Sequence, residues 1–202
     1  MRQWHAPDPA LEAVPGEWRW EDGWPIARTD VQDWYAQADH SLAPTASDMA
    51  THKLTYKASV GLEGGGPTMW WGSVTPDQGP MDNDSLLYDS APLDKPMEIL
   101  GRPMARLTVS ADARHANWVV RISDVSPDGR VTQVTGAAIN GTHRISAREP
   151  EYLEPGEVYP LEIPLHFTSW VFPAGHRVRV AINNAQWPML WPTPSPMTTS
   201  LM

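Results

Sequence analysis

A serine that hydrolyses acyl or peptide bonds needs a histidine and an acid beside it. On the α/β scaffold that serine stands in Gly-x-Ser-x-Gly at a strand-to-helix elbow. The 202-residue chain has serines, acids and seven histidines, but no such pattern. Gly72-Ser73 runs into Val74-Thr75, and no helix signal follows. The histidines stand singly at positions 5, 40, 52, 115, 143, 166 and 176. Neither His-x-His nor His-Glu-x-x-His spacing occurs, so no transition-metal site is expected. Asp82-Asn83-Asp84-Ser85 sets oxygen ligands at alternating positions, as calcium loops do. It lacks their glycine and distal glutamate and reads as a turn. The expectation is a chain with no catalytic residue, no metal ligand and no cofactor.

Tryptophan is the anomaly. There are 11, and Trp18, Trp20, Trp24, Trp70, Trp71, Trp187 and Trp191 fall in turns or loops rather than in alternating strand cores. Three readings stand side by side. The indoles plug the ends of the fold, or they form an interface with another domain, where aromatics gather at buried centres. Alternatively they form a platform on which sugar rings stack. These seven are the candidate interface or ligand residues.

The elements that must carry them are strands. Ala105, Leu107 and Val109 alternate with Arg106, Thr108 and Ser110, and Trp118, Val120 and Ile122 repeat that period of two. Ser126-Pro127-Asp128-Gly129 supplies turn residues before a third run from Arg130 to Thr135, which makes an antiparallel hairpin with one wet face. Further strands are expected at Lys53–Ala58, from Leu86, at Ala138–Arg144 and at Val178–Ile182. Leu161, Ile163, Leu165 and Phe167 alternate with Pro160, Glu162, Pro164 and His166. Two prolines that cannot donate to a ladder make this an edge or bulged strand, with His166 in solvent. Thr29–His40 leans to strand despite a capping-box pattern at Thr29-Asp30-Val31-Gln32.

Composition agrees. The 21 prolines and 14 glycines are scattered, leaving few intervals for a helix. Net charge is −9, which repels phosphate backbones and argues against nucleic-acid binding. No apolar run approaches a membrane span, and no cysteine is present, which excludes disulfides. Met1–His5 leads into Pro-rich sequence, not an apolar signal segment, so a cytoplasmic protein is favoured. The expected fold is all-β, a sandwich or jelly roll of mainly antiparallel strands with long Pro/Gly/Trp-rich loops. Residues 1–202 read as one domain, with a Trp-rich entry arm (1–28), a long loop (59–85) and a Pro-rich tail (186–202).

The chain resembles the C-terminal β-sandwich domain of the X-prolyl dipeptidyl-peptidase and cocaine-esterase-like serine hydrolases. The residues that carry this begin with Pro15-Gly16-Glu17-Trp18-Arg19, Trp24-Pro25, Asp77-Gln78 and Leu87–Leu93. Glu98–Pro103, Val120–Gly129, Asn140–Arg144, Leu153–Glu157, Phe172–Arg179 and Trp187-Pro188 follow in the family's order. The resemblance implies a galactose-binding-like jelly roll beside an α/β-hydrolase catalytic domain in the same parent chain. It implies a non-catalytic role, packing on that domain for stability and for shaping the substrate entrance. No catalytic residue of the family maps here. Domains of the family finish with a further strand after the Pro-rich loop, which here spans Gln186–Pro196, whereas this chain stops at Met202. The alternatives are a free-standing carbohydrate-binding module and an oligomerisation module.

Overall fold

The computed structural model describes residues 1–62 and 76–202. Its strands are β1 (Tyr35–Ala36), β2 (Leu42–Ala43), β3 (His52–Thr55), β4 (Leu86–Asp89), β5 (Met97–Gly101) and β6 (Met104–Ala111). The series continues with β7 (Asn117–Val125), β8 (Val131–Asn140), β9 (Tyr159–Pro164), β10 (Thr168–Phe172), β11 (Arg177–Asn183) and β12 (Thr198–Leu201). One helical turn, α1 (Gly79–Asp82), precedes β4. Every strand pair is antiparallel.

Two four-stranded sheets, ordered β4-β11-β7-β8 and β3-β12-β6-β9, face a single core. Alternation explains who enters it. Tyr88, Trp118, Val120, Val178 and Ile182 come from the first sheet; Val109, Ala111, Leu161, Ile163 and Leu201 come from the second. The two-stranded sheet β10-β5 adds Trp170 and Phe172. The all-β sandwich is as expected. So is the β7–β8 hairpin, whose turn holds Gly129 at φ 86°. β9 lies at a sheet edge, where its prolines do no harm.

Several expectations fail, each for a stated reason. Residues 186–196 are loop, as expected, but the chain does not stop short of a further strand. Thr198–Leu201 forms β12, which sits between β3 and β6 at the centre of the second sheet. Its Thr-Thr-Ser-Leu sequence hides it, because Thr199, which shares the buried face with Leu201, is polar, and no apolar alternation results. The runs Arg130–Thr135 and Ala138–Arg144 are not two strands. They are one strand, β8, ending at Asn140 in a 3₁₀ turn, with a bulge opposite Ile122/Ser123 that resets the register. Thr29–His40 contributes only the two residues of β1. Phe167 is 55% exposed, because the alternation that buries Leu161, Ile163 and Leu165 breaks after His166, beyond the end of β9. The hairpin's second face is not wet: Val119, Arg121 and Ser123 are fully buried.

Candidate functional site

What buries that second face is a charge network. Arg121 on β7 and Arg179 on β11 project away from the core, opposite to Val120 and Val180. Residues 77–85 lie over them, strapped to the start of β8 where Gln78 N donates to Val131 O and Val131 N donates to Asp77 Oδ1. Arg121 Nη2 donates to Asp82 Oδ1 at 2.7 Å, with side-chain exposures of 0% and 3%. Its other partners are Gln78, Ser85 and Asn183. Arg179 donates to Asp82 Oδ2 at 2.9 Å and to Asp89 at 2.6 Å. Desolvation pulls the Arg121 guanidinium below the ordinary arginine value, against the attraction of Asp82. The Asp89 hydrogen bonds push Arg179 above it. Two cations and two carboxylates balance, which is what makes their burial tolerable. Asp82, read from sequence as part of a turn, ends α1 and has both oxygens taken by arginines.

One acid–histidine pair is buried. His176 Nδ1 donates to Asp124 Oδ1 at 2.7 Å, and Trp170 Nε1 donates to Oδ2 at 2.9 Å. Trp4 closes edge-on over the imidazole with ring centroids 4.9 Å apart. Burial raises the Asp124 carboxyl above its usual range, partly offset by the Trp170 and His176 hydrogen bonds. Both carboxylate oxygens are spent on these donors, and among the described residues no serine joins the pair. The pair is a buried tie between β7, β10 and the start of β11. A nucleophilic relay requires a hydroxyl that is missing from it.

A second histidine cluster was invisible in the linear spacing. His40 and His52 stack at 4.1 Å, and His52 Nδ1 meets the Tyr88 hydroxyl at 2.5 Å. They stand beside a cavity of about 210 Å³ lined by Tyr35, Gln37, Met49, His52, Tyr88 and Leu201. Burial pushes the Tyr88 phenol up to about 12. Both imidazoles also stack on the Tyr88 ring, and their other hydrogen-bond partners are backbone carbonyls, Leu87 O to His40 and Ala38 O to His52. His166 is exposed, as expected.

Four of the candidate tryptophans do not plug the ends. Trp18 and Trp20 are 101% and 98% exposed, and Trp24 and Trp191 are 66% and 82% exposed. Trp24 meets Phe167 at 5.9 Å, and the half-buried Trp187 meets Trp191 edge-on at 5.9 Å. Trp70 and Trp71 lie outside the described residues. The entry arm forms no strand of its own; isolated bridges tie Arg2 to Gly16 and Gln3 to Val171. Arg19, between the two exposed indoles, donates twice to Glu98 of β5, at 2.7 and 2.8 Å.

Residues 4–202 match the model of the X-Pro dipeptidyl-peptidase C-terminal non-catalytic domain. The chain belongs to that family. Among its relatives, a Mycobacterium bovis protein provisionally described as a serine esterase is 31% identical over 196 residues, covering 85% of this chain and 31% of that protein. Cocaine esterase of a Rhodococcus strain is 28% identical over 192 residues, covering 85% of this chain and 33% of the enzyme. The chain thus spans about a third of the length of the curated relatives it matches. The fold recurs in an aminopeptidase from a marine-sediment thaumarchaeote, with TM-score 0.79 and 24% identity over 92% of this chain and 36% of that one. An X-Pro dipeptidyl-peptidase C-terminal domain is non-catalytic by description, in keeping with a buried Asp124–His176 pair that holds strands together. The family's final strand, expected from the resemblance and not found in the linear reading, is β12. Among the described residues no helix is long and apolar enough to cross a membrane.

Proposed function

We propose that this domain is the C-terminal accessory part of a serine hydrolase, acting on acyl esters or Xaa-Pro peptides through an α/β-hydrolase domain in the same polypeptide. It packs on that domain, stabilises it and helps to wall the substrate entrance. The supporting observation is the match over residues 4–202 to a non-catalytic domain that occupies about a third of its esterase relatives. Residues 1–202 act as one domain in this reading, and its exposed Trp18, Trp20, Trp24 and Trp191, with Trp70, Trp71 and Trp187, form contact surface. A cytoplasmic location belongs to the same proposal, checked by fractionation of cells carrying the full-length gene.

The test is hydrolysis of a p-nitrophenyl acyl ester and of an Xaa-Pro p-nitroanilide. The full-length polypeptide turns over at least one of them, and the 202-residue chain turns over neither. Turnover by the 202-residue chain that survives repurification overturns the proposal, as does an upstream sequence without a nucleophile elbow.

A further inference from the structure

We propose that the stacked His40–His52 pair is an acid-sensitive latch, which holds residues 37–41 down beside the cavity at neutrality and lets them lift on acidification. The β1–β2 ribbon pairs with neither four-stranded sheet. Leu42 roots it in the core, and His40 fixes its turn. His40 sits at φ 67°, a left-handed conformation that a residue other than glycine keeps only when its surroundings impose it. On β4, Asp89 N donates to His40 O at 3.2 Å, and Leu87 O accepts from His40 Nδ1 at 3.2 Å. On β3, the His52 ring lies flat against the His40 ring at 4.1 Å and 14°. His52 also reaches back to Ala38 O in the turn. The hold of β3 and β4 on this turn therefore runs through two imidazoles.

Hydrogen-bond roles locate the protons. A carbonyl only accepts, so His52 Nε2 donates to Ala38 O at 3.2 Å and carries the hydrogen of the neutral ring. Nδ1 is then bare and accepts the Tyr88 hydroxyl at 2.5 Å. A proton added at Nδ1 faces the hydrogen of that hydroxyl. Tyr88 is 1% exposed, and no other acceptor for its hydroxyl occurs among the described residues. Burial pushes the phenol up to about 12, so it keeps its own proton. In His40 the bare nitrogen is Nε2, and charge on both rings sets two cations face to face at stacking distance. The surrounding groups accommodate one charge, not two. Ser41 first, and then charge on His40, hold the neighbouring Asp39 carboxyl below its usual range. The Asp89 carboxylate is taken by Arg179 of β11. Asp48 lines the cavity from an exposed position, Lys53 on β3 adds positive charge, and β12 brings no titratable side chain. Imidazole is the side chain whose charge changes between about pH 5 and 8, which sets where the latch acts. Lifting residues 37–41 opens the 210 Å³ cavity that Gln37, Ala38, His52 and Tyr88 line.

The chain has no cysteine, so Ala38→Cys places its only thiol in the turn, where a nitroxide reports motion through its spin-resonance lineshape. Between about pH 8 and about pH 5 the mobile fraction is expected to grow on the order of tenfold. The near-ultraviolet circular dichroism of the tryptophans is expected to stay unchanged over that span. His40→Phe keeps a flat ring that takes no proton, and its label is expected to remain immobile throughout. In the labelled parent, the ¹⁵N shift of His52 Nδ1 is expected to pass from bare to protonated as the label loosens. A parent label equally immobile at both pH values overturns the latch, as does a His40→Phe label that loosens with acid like the parent's. Loss of the near-ultraviolet signal in step with the label overturns it too, because the whole sandwich has then unfolded. Should phenylalanine leave the turn mobile at every pH, the nitrogen shift decides: a bare Nδ1 where the parent label is mobile overturns the latch, and a protonated one upholds it.

Discussion

Arg121 and Asp82 form a 2.7 Å ion pair from which water is excluded, 39 residues apart in sequence. Among the described residues Arg121 Nε has no partner, so the guanidinium depends on the carboxylate and on Gln78, Ser85 and Asn183. Removing one partner of a buried pair leaves the other charged and dry, which is far more damaging than losing an exposed pair. Arg121→Ala should cost about 3–5 kcal/mol in urea denaturation. Arg106→Ala, whose pair with Glu162 is about 70% exposed on both sides, should sit near zero. Equal effects of the two would show that the network over β7 and β11 does not hold the 77–85 segment.

Two aspartates of the same strand and its turn should answer pH with opposite signs. Asp128 is held well below the carboxylate range, first by Arg130 and then by Ser126. Its stabilisation is present above the unfolded value of about 3.9 and is lost as pH falls toward the folded one. Asp128→Asn should therefore be less stable than the parent at neutral pH, and the two melting curves should converge as pH drops below about 4. Asp124 is raised by burial, so its contribution is full below the unfolded value and lost as pH rises through the folded one. Asp124→Asn should gain on the parent over that rise. Parallel Tm–pH curves for parent and variants would refute both.

Gly61 and Gly129 both have positive φ, at 115° and 86°. Only Gly61 is also crowded: a Cβ there would fall 2.2 Å from the Trp187 carbonyl oxygen, whereas at Gly129 nothing lies within 4 Å. Gly129→Ala should cost about 1–2 kcal/mol, the backbone term alone. Gly61→Ala should cost clearly more, because the bond from Trp187 N to Val60 O, 2.7 Å long, must yield. Chemical denaturation of the two variants ranks them, and the reverse order would refute the close approach of residues 60–61 to Trp187.

Strand β12 is the last built and lies between β3 and β6, pairing Thr199 with both Leu54 and Ala111. Truncation after Pro196 should abolish the cooperative thermal transition instead of merely lowering its midpoint, since two inner edges open at once and Met197 and Leu201 leave the core. A truncated chain that still melts cooperatively would show the second sheet to be dispensable.

Local pattern carried much of the fold. The alternation in β6, β7, β9 and β11 and the Pro-Asp-Gly turn specify antiparallel hairpins, because a period of two is a property of a few adjacent residues. The ordered set of short motifs was enough to point to the family. Alternation assigns side chains to two faces but is silent on what lies over each. Arg121 therefore read as a solvated residue, although α1 and the residues around it cover it. Thr198–Leu201 lacked an apolar alternation and read as tail, since its stability comes from two neighbours supplied by residues 52–55 and 104–111. The abundance of tryptophan was plain from composition alone; that Trp18 and Trp20 stand in solvent follows from the Arg19–Glu98 anchor across 79 residues. Asp124 with His176 and His40 with His52 were likewise joined only by packing. Adjacent-residue chemistry is written in the chain, whereas contacts across many residues exist only after the core has closed and chosen which faces meet.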